Sequence, residues 1–139
     1  MSEYTERAEK FLADNGLRLR ATFKGDKCPP WCGEDGRGHV HGDRYRVTIS
    51  RKAGGRVSFD FWNSLHDMQQ GNAPTAYDVL ACISGDIYAP ETFEDYCTEY
   101  GFNADSRQAE RDFRRLSRFA ARLRAFFTDD EQESLSEIQ

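Results

Sequence analysis

The stretch Arg44-Tyr-Arg-Val-Thr-Ile-Ser-Arg-Lys-Ala-Gly-Gly-Arg-Val-Ser-Phe-Asp-Phe61 decides the fold of this chain. Apolar and polar residues alternate from Arg44 to Ser50 and again from Val57 to Phe61, a period of two that is typical of strands with one buried face. Between them, Lys52-Ala-Gly-Gly55 supplies glycines that take the positive φ angles of a tight turn without steric cost. The stretch therefore predicts an antiparallel hairpin.

Working outward, the segment from Leu17 to Phe23 alternates in the same way and predicts a further strand, while spacing between Tyr4 and Leu12 predicts a short helix before it. From residue 74 onward the spacing is helical; the longest segment runs from a cap at Asp105-Ser106 to about Phe127, and Thr128-Asp-Asp-Glu131 matches the capping box. We predict an α+β fold, a three-stranded antiparallel sheet followed by a helical layer of three to four helices. Residues 1–139 would form a single domain, sheet-rich over 17–62 and helical over 74–139.

Composition narrows the class of protein. The chain has 139 residues, a net charge of −5, ten Phe, six Tyr and two Trp, which favours a folded core over disorder. The N-terminus lacks the features of a signal peptide, and no apolar run approaches the ~20 residues that span a bilayer. We therefore expect a cytoplasmic protein with no membrane partner.

One cluster has the donor types of a metal site, namely Cys28, Cys32, His39 and His41. Thiolates and imidazoles in a loop rich in glycine and proline can enclose a tetrahedral zinc ion, and four protein ligands would make that zinc structural. The spacing matches no standard zinc finger, and the alternative is an ordered loop in which the cysteines act as small apolar residues. Cys82 and Cys97 fall among apolar residues of two predicted helices, where we expect buried thiols.

Catalytic motifs are weak. Ser64, His66 and Asp67 contain the residue types of a hydrolytic triad, but sequence neighbours point in different directions, so a helix cap explains them better. No nucleophile elbow, phosphate-binding loop or dinucleotide fingerprint is present. We therefore expect that the protein is not an enzyme.

An arginine-rich helix is the first candidate binding surface. Seven arginines lie between Arg107 and Arg124. Steps of three and four residues place most of them along one side of a helix, where they can bind phosphates, and so predict a nucleic-acid-binding face. The alternative is that they pair with acidic neighbours in the same helix. The candidate nucleic-acid-binding residues are Arg107, Arg111, Arg114, Arg115, Arg118 and Arg122.

An acidic segment is the second candidate. Residues 86–105 contain six acidic residues, no basic one and three tyrosines, a mixture suited to a basic protein groove or to imitation of nucleic-acid phosphates. The alternative is an ordinary solvated helix face over buried aromatics. The candidate partner-binding residues are Asp86, Tyr88, Glu91, Glu94, Asp95 and Glu99.

The segments Pro74-Thr-Ala-Tyr-Asp-Val-Leu-Ala-Cys82, Thr92-Phe-Glu-Asp-Tyr-Cys97 and Glu99-Tyr-Gly-Phe102 resemble a family of small bacteriophage and prophage proteins. The resemblance continues through Phe126-Phe-Thr and the terminal Leu-Ser-Glu-Ile138 and covers most of residues 42–139. It implies a mobile-element origin without an established enzymatic activity and carries no residue roles. By analogy of context it suggests an inhibitor of host defence, such as an anti-CRISPR protein.

Two main hypotheses follow, and a hydrolase built around His66 is a third alternative. The first is a phage-derived protein that blocks a host nucleic-acid-handling defence complex, a protein or ribonucleoprotein assembly such as a CRISPR effector, by occupying its surface through the acidic segment. The second is an accessory protein that binds nucleic acid through the arginine-rich helix.

Overall fold

The computed structural model describes residues 3–26, 43–62, 73–104 and 106–138. Within those ranges three strands and five helices follow one another: α1 (Glu3–Asp14), β1 (Leu17–Asp26), β2 (Asp43–Arg51), β3 (Arg56–Trp62), α2 (Ala76–Asp86), α3 (Phe93–Tyr100), α4 (Arg107–Phe126) and α5 (Asp129–Ser136). This arrangement confirms the predicted α+β class, with an antiparallel sheet followed by four helices. The short helix expected before the sheet is α1.

The sheet is an antiparallel meander in the order β1-β2-β3. Ile49 in the central strand pairs with Leu19 on one side and with Val57 on the other, so the apolar positions of all three strands coincide. The hairpin between β2 and β3 forms where the sequence predicts it, with Gly54 at φ 118° and Gly55 at φ 96°. The Arg51 amide donates a 2.9 Å hydrogen bond to the Gly55 carbonyl and closes the turn.

The alternation in sequence gives the sheet two different faces. The inner face is apolar, because every second side chain along the strands is buried. The outer face carries the polar residues between them, and Arg18, Arg20 and Arg56 are exposed there. The buried residues of the inner face include Leu17, Val47, Ile49, Val57 and Phe59.

Helices cover the inner face and complete the main core. Phe11 of α1, Leu80 of α2, Leu123 of α4 and Leu135 of α5 are all buried in one cluster with the sheet residues. Rings add directional contacts: Phe59 of β3 lies 5.0 Å from Phe119 of α4, centroid to centroid. Such pairs contribute roughly 1 kcal/mol beyond the area they bury.

An ion pair ties the sheet to the last helix. Arg51, at the end of β2, donates hydrogen bonds of 2.8 and 2.9 Å to the two carboxylate oxygens of Glu131 and a third, 2.9 Å long, to the Phe126 carbonyl. Glu131 also accepts from the Thr128 amide at 2.8 Å, which completes the predicted capping box of α5. One carboxylate therefore caps a helix and fixes that helix against the sheet.

The helix boundaries follow the sequence signals, with one error. Ser106 caps α4 as predicted, its hydroxyl accepting from the Ala109 amide at 3.1 Å; Asp105 lies outside the described residues. Cys97 is buried as expected, but the prediction was wrong for Cys82, which is exposed. The buried residues of α2 include Val79, Leu80 and Ile83, and the 100° step per residue turns Cys82 away from that side.

Candidate functional site

Helix α3 is short and sharply bounded at both ends. The Thr92 hydroxyl accepts a 3.1 Å hydrogen bond from the Asp95 amide at the start, and Gly101 ends the helix in the left-handed region at φ 74°. Glu94 and Asp95 lie in the first turn, where the partial positive charge of the helix start stabilises carboxylates. The local sequence thus supports a dense negative charge on an eight-residue helix.

The inward side of α3 packs on α4 through aromatic rings. Tyr96 is 6% exposed, and its ring centroid lies 5.5 Å from that of Phe113 and 4.7 Å from that of Tyr100. Phe93 lies 5.7 Å from Phe113, and Phe102 stacks on Tyr96 at 5.7 Å. These five rings, here called the aromatic cluster, hold α3 against α4 beside the main core.

The outward side of α3 is acidic. Glu94, Asp95 and Glu99 are exposed there, and Glu91 is exposed just before the helix. These four carboxylates, here called the acidic face, make no ion pair with any residue in the described ranges. Within the described ranges, the acidic face is therefore a group of exposed carboxylates with no basic partner.

Exposed rings accompany the acidic face. The described residues expose five large hydrophobic side chains, and three of them fall between residues 88 and 102: Tyr88 at 62%, Tyr100 at 50% and Phe102 at 40%. Tyr88 was predicted from the sequence as a partner-binding residue, whereas Tyr100 and Phe102 were not. The missed signal is Tyr100-Gly-Phe102, because a glycine helix stop followed by an apolar residue brings that residue back along the helix. Here the Phe102 amide donates to the Cys97 carbonyl at 3.0 Å.

Asp86 differs from the other acidic candidates. It is half-buried, and the Cys82 Sγ donates to its Oδ2 across 3.9 Å. Desolvation raises the pKa of Asp86 to about 6, although the Cys82 thiol opposes this shift. Desolvation and then the Asp86 charge raise the pKa of the Cys82 thiol to about 12, even though part of the Cys82 side chain is exposed. Asp86 therefore already has a partner inside the chain.

The six candidate arginines do lie along one side of α4, opposite the buried Ala109, Ala120 and Leu123. Four of them contact groups of this chain: Arg114 pairs with Glu110, Arg115 with Asp112 at 2.9 Å, Arg111 donates to Gln108 at 2.9 Å, and Arg122 donates to the Ser58 carbonyl. Arg107 and Arg118 have no partner among the described residues. Pairing with acidic neighbours, the alternative raised by the sequence, is thus confirmed for Arg114 and Arg115.

Two sequence candidates lie outside the described residues. These are the zinc cluster of Cys28, Cys32, His39 and His41, and the segment with His66. Within the described ranges, no group of three or more His, Cys, Asp or Glu side chains is arranged to hold a metal ion.

Comparison with known protein families, with curated proteins and with solved structures finds no match to this chain. Among the described residues, no helix combines the length and the apolar character needed to cross a bilayer.

Proposed function

We propose that this chain is a binding protein whose acidic face and adjacent exposed rings occupy a basic surface on a protein that handles nucleic acid. The observation that supports this most directly is the coincidence of two features at α3. Four exposed carboxylates make no ion pair with any described residue, and three of the five exposed large hydrophobic side chains of the described chain lie next to them in sequence.

The two features supply different parts of an interface. Exposed tyrosines bury a large area at low entropic cost and are common among the residues that dominate binding energy. Carboxylates next to them accelerate association with a positive surface and disfavour negative ones. A patch with both parts suits a partner whose own surface is positive, such as a protein groove that binds nucleic acid.

The class of target rests on the resemblance to bacteriophage proteins, which suggests a host defence complex such as a CRISPR effector. In this proposal the acidic face takes the place of nucleic-acid phosphates, so that inhibition is by occlusion and needs no catalysis. The protein would act in the cytoplasm of the host cell, where such complexes work. If the segment with Cys28 holds zinc, the ion would be structural and would play no part in the occlusion.

The experiment is a tagged purification from bacterial lysate, with and without nuclease, followed by binding measurements on the purified target. A protein complex that persists after nuclease treatment is expected. Reversing the acidic face with Glu91→Lys, Glu94→Lys, Asp95→Lys and Glu99→Lys should weaken binding by more than about 100-fold, because like charges then meet across the interface. In cells with an active defence system, the wild type should raise phage plating and this variant should not.

A matched control carries the same change in net charge elsewhere. Glu6, Glu9, Glu133 and Glu137 are exposed and make no ion pair among the described residues, so their replacement by Lys should leave binding within a few-fold of wild type. Equal losses in the two variants would mean that only total charge matters. Full binding by the acidic-face variant would remove this face from the proposal.

The second candidate function is nucleic-acid binding through α4, which Arg107 and Arg118 favour because they have no partner among the described residues. This function predicts that Arg107→Glu with Arg118→Glu abolishes nucleic-acid binding and that binding weakens steeply with added salt. An unchanged affinity of that double variant would exclude it.

A further inference from the structure

The outer face of the sheet carries a concentration of positive charge that forms only when the three strands come together. Five arginines project from it, Arg18 and Arg20 from β1, Arg44 and Arg46 from β2, and Arg56 from β3; we call these five the basic sheet face. Among the described residues whose side chains alternate onto this face, Asp60 is the one acid. The chain as a whole has a net charge of −5, so the charge of this face is opposite in sign to the net charge.

The strand register keeps the arginines apart while holding them in one plane. Arg18 and Arg56 both stand opposite Ser50, Arg20 stands opposite Thr48, and Arg46 stands opposite Thr22. No two arginines of the face are direct cross-strand partners, a pairing that would destabilise the sheet. Hydroxyls fill the positions between them, and those of Thr48 and Ser58 bond to each other at 2.9 Å near the middle of the face. The face is therefore a stable array of separated cations with hydroxyl groups between them.

Most of this charge is not neutralised by the residues that the structure describes. Arg46 Nη1 lies 3.2 Å and Arg44 Nη1 3.7 Å from the carboxylate of Asp60. Arg18, Arg20 and Arg56 are exposed and have no partner among the described residues. These three exposed guanidinium groups, without a partner in the described ranges, support binding of an external anion at this face.

We propose that the basic sheet face binds the sugar–phosphate backbone of a nucleic acid. Residues two apart on a strand are about 6.7 Å apart and strands are about 4.8 Å apart, so each guanidinium can reach a different phosphate of one chain. Arginine forks bind phosphate oxygens through paired hydrogen bonds, and hydroxyls such as those of Ser50 and Thr22 add neutral donors. An acidic protein would also satisfy the charge, but it does not repeat its anions at short, even intervals as a nucleic acid does.

The site is distinct from the acidic face. The inner side of the sheet is covered by helices, α3 packs on α4, and the basic sheet face lies on the opposite side of the sheet. The proposal can therefore be tested independently of the function proposed for α3. Because the contacts are to the backbone, binding should be strong at low salt and nearly independent of base sequence.

The test is fluorescence polarisation with labelled single-stranded DNA, single-stranded RNA and duplex DNA of about 20 nucleotides, from about 50 to 200 mM salt. The wild type should bind at least one of them, with an affinity that falls linearly on a log–log plot against salt. Arg18→Gln with Arg20→Gln should weaken binding at least about tenfold at the lowest salt and lower the salt slope by about 1.5, since two phosphate contacts are lost.

A matched double variant separates this face from the rest of the surface. Arg7→Gln with Lys10→Gln, at two exposed positions of α1, changes the net charge equally and should leave affinity and slope within about twofold of wild type. Thermal melting checks that both variants fold, and wild-type NMR shifts on titration should map to β1 and β2 instead of α4. Absence of binding by the wild type at the lowest salt, an unchanged slope after Arg18→Gln with Arg20→Gln, or shifts confined to α4 would each overturn the proposal.

Discussion

Arg51 and Glu131 form an ion pair in which Glu131 is the least exposed carboxylate of the ion pairs among the described residues. The Glu131 side chain is 5% exposed and that of Arg51 21%, so each charge depends on the other for compensation. Glu131→Gln should lower the free energy of unfolding by about 3 kcal/mol at neutral pH, because it leaves a half-buried guanidinium without its counter-charge. Urea denaturation measures this. Glu133→Gln on the exposed side of the same helix should change it by less than about 0.5 kcal/mol.

The same pair predicts a pH dependence of defined sign. Hydrogen bonds from Arg51 hold the pKa of Glu131 below its ordinary value of 4.5. A carboxyl with a lowered folded pKa stabilises the fold above the ordinary value and loses that contribution as pH falls through the folded pKa. The difference in stability between wild type and Glu131→Gln should therefore shrink when unfolding is measured at pH about 3. A difference that stays constant down to that pH would contradict the assignment.

Asp86 predicts a pH dependence of stability with the opposite sign. Desolvation raises its folded pKa to about 6, above its ordinary value of 3.8, so the folded state binds the proton more tightly. That contribution is fully present below the ordinary value and is lost as pH rises through about 6, so ionised Asp86 costs stability at neutral pH. Asp86→Asn should raise the free energy of unfolding by about 1 kcal/mol at neutral pH and have little effect below pH about 4. Glu9→Gln, at an exposed site in the middle of α1, is the control for a change of charge alone.

At the scale of elements, replacement by alanine should change stability in opposite directions at two glycines whose surroundings are equally open. A Cβ added at Gly85 or at Gly101 would meet nothing within 4 Å, so packing does not decide either outcome. Gly101 has φ 74°, which costs an alanine about 1 kcal/mol, whereas Gly85 lies inside α2 and Gly85→Ala should stabilise by about 0.5–1 kcal/mol. Thermal melting of the two single variants measures both. Shifts of the same sign would mean that the ends of α2 and α3 differ from the conformations described.

The sequence predicts elements better than it predicts surfaces, and the strands show why. Period-two alternation identifies β1, β2 and β3 and their buried residues, since burial of one face imposes that pattern locally. The basic sheet face was missed because it depends on pairing between strands: Arg18, Arg46 and Arg56 come onto one face only after the strands form a sheet. Cys82 was misplaced for a similar reason, because apolar neighbours in sequence do not share one side of a helix. Tyr96 and Phe113 likewise meet only once α3 packs on α4.

At the scale of the whole molecule, the two proposed surfaces lie on different sides of the sheet. The acidic face belongs to α3, which packs on α4 on the helical side, and the basic sheet face is on the other side. If both proposals hold, the surfaces should be separable. The variant with Arg18→Gln and Arg20→Gln should lose nucleic acid but keep the protein partner, and the acidic-face variant should do the reverse.

The separation is measured by running polarisation and partner binding on the wild type, on each variant and on their combination. If the surfaces are independent, the loss of binding free energy in the combined variant should equal the sum of the losses in the two separate variants within about 0.5 kcal/mol, for each ligand. The reason is that the mutated sites share no contacts. A variant that loses both activities would indicate one shared surface or a damaged fold, and its thermal melting would distinguish these. Strong coupling between intact variants would instead mean that both surfaces engage a single nucleoprotein, with the acidic face on its protein and the basic sheet face on its nucleic acid.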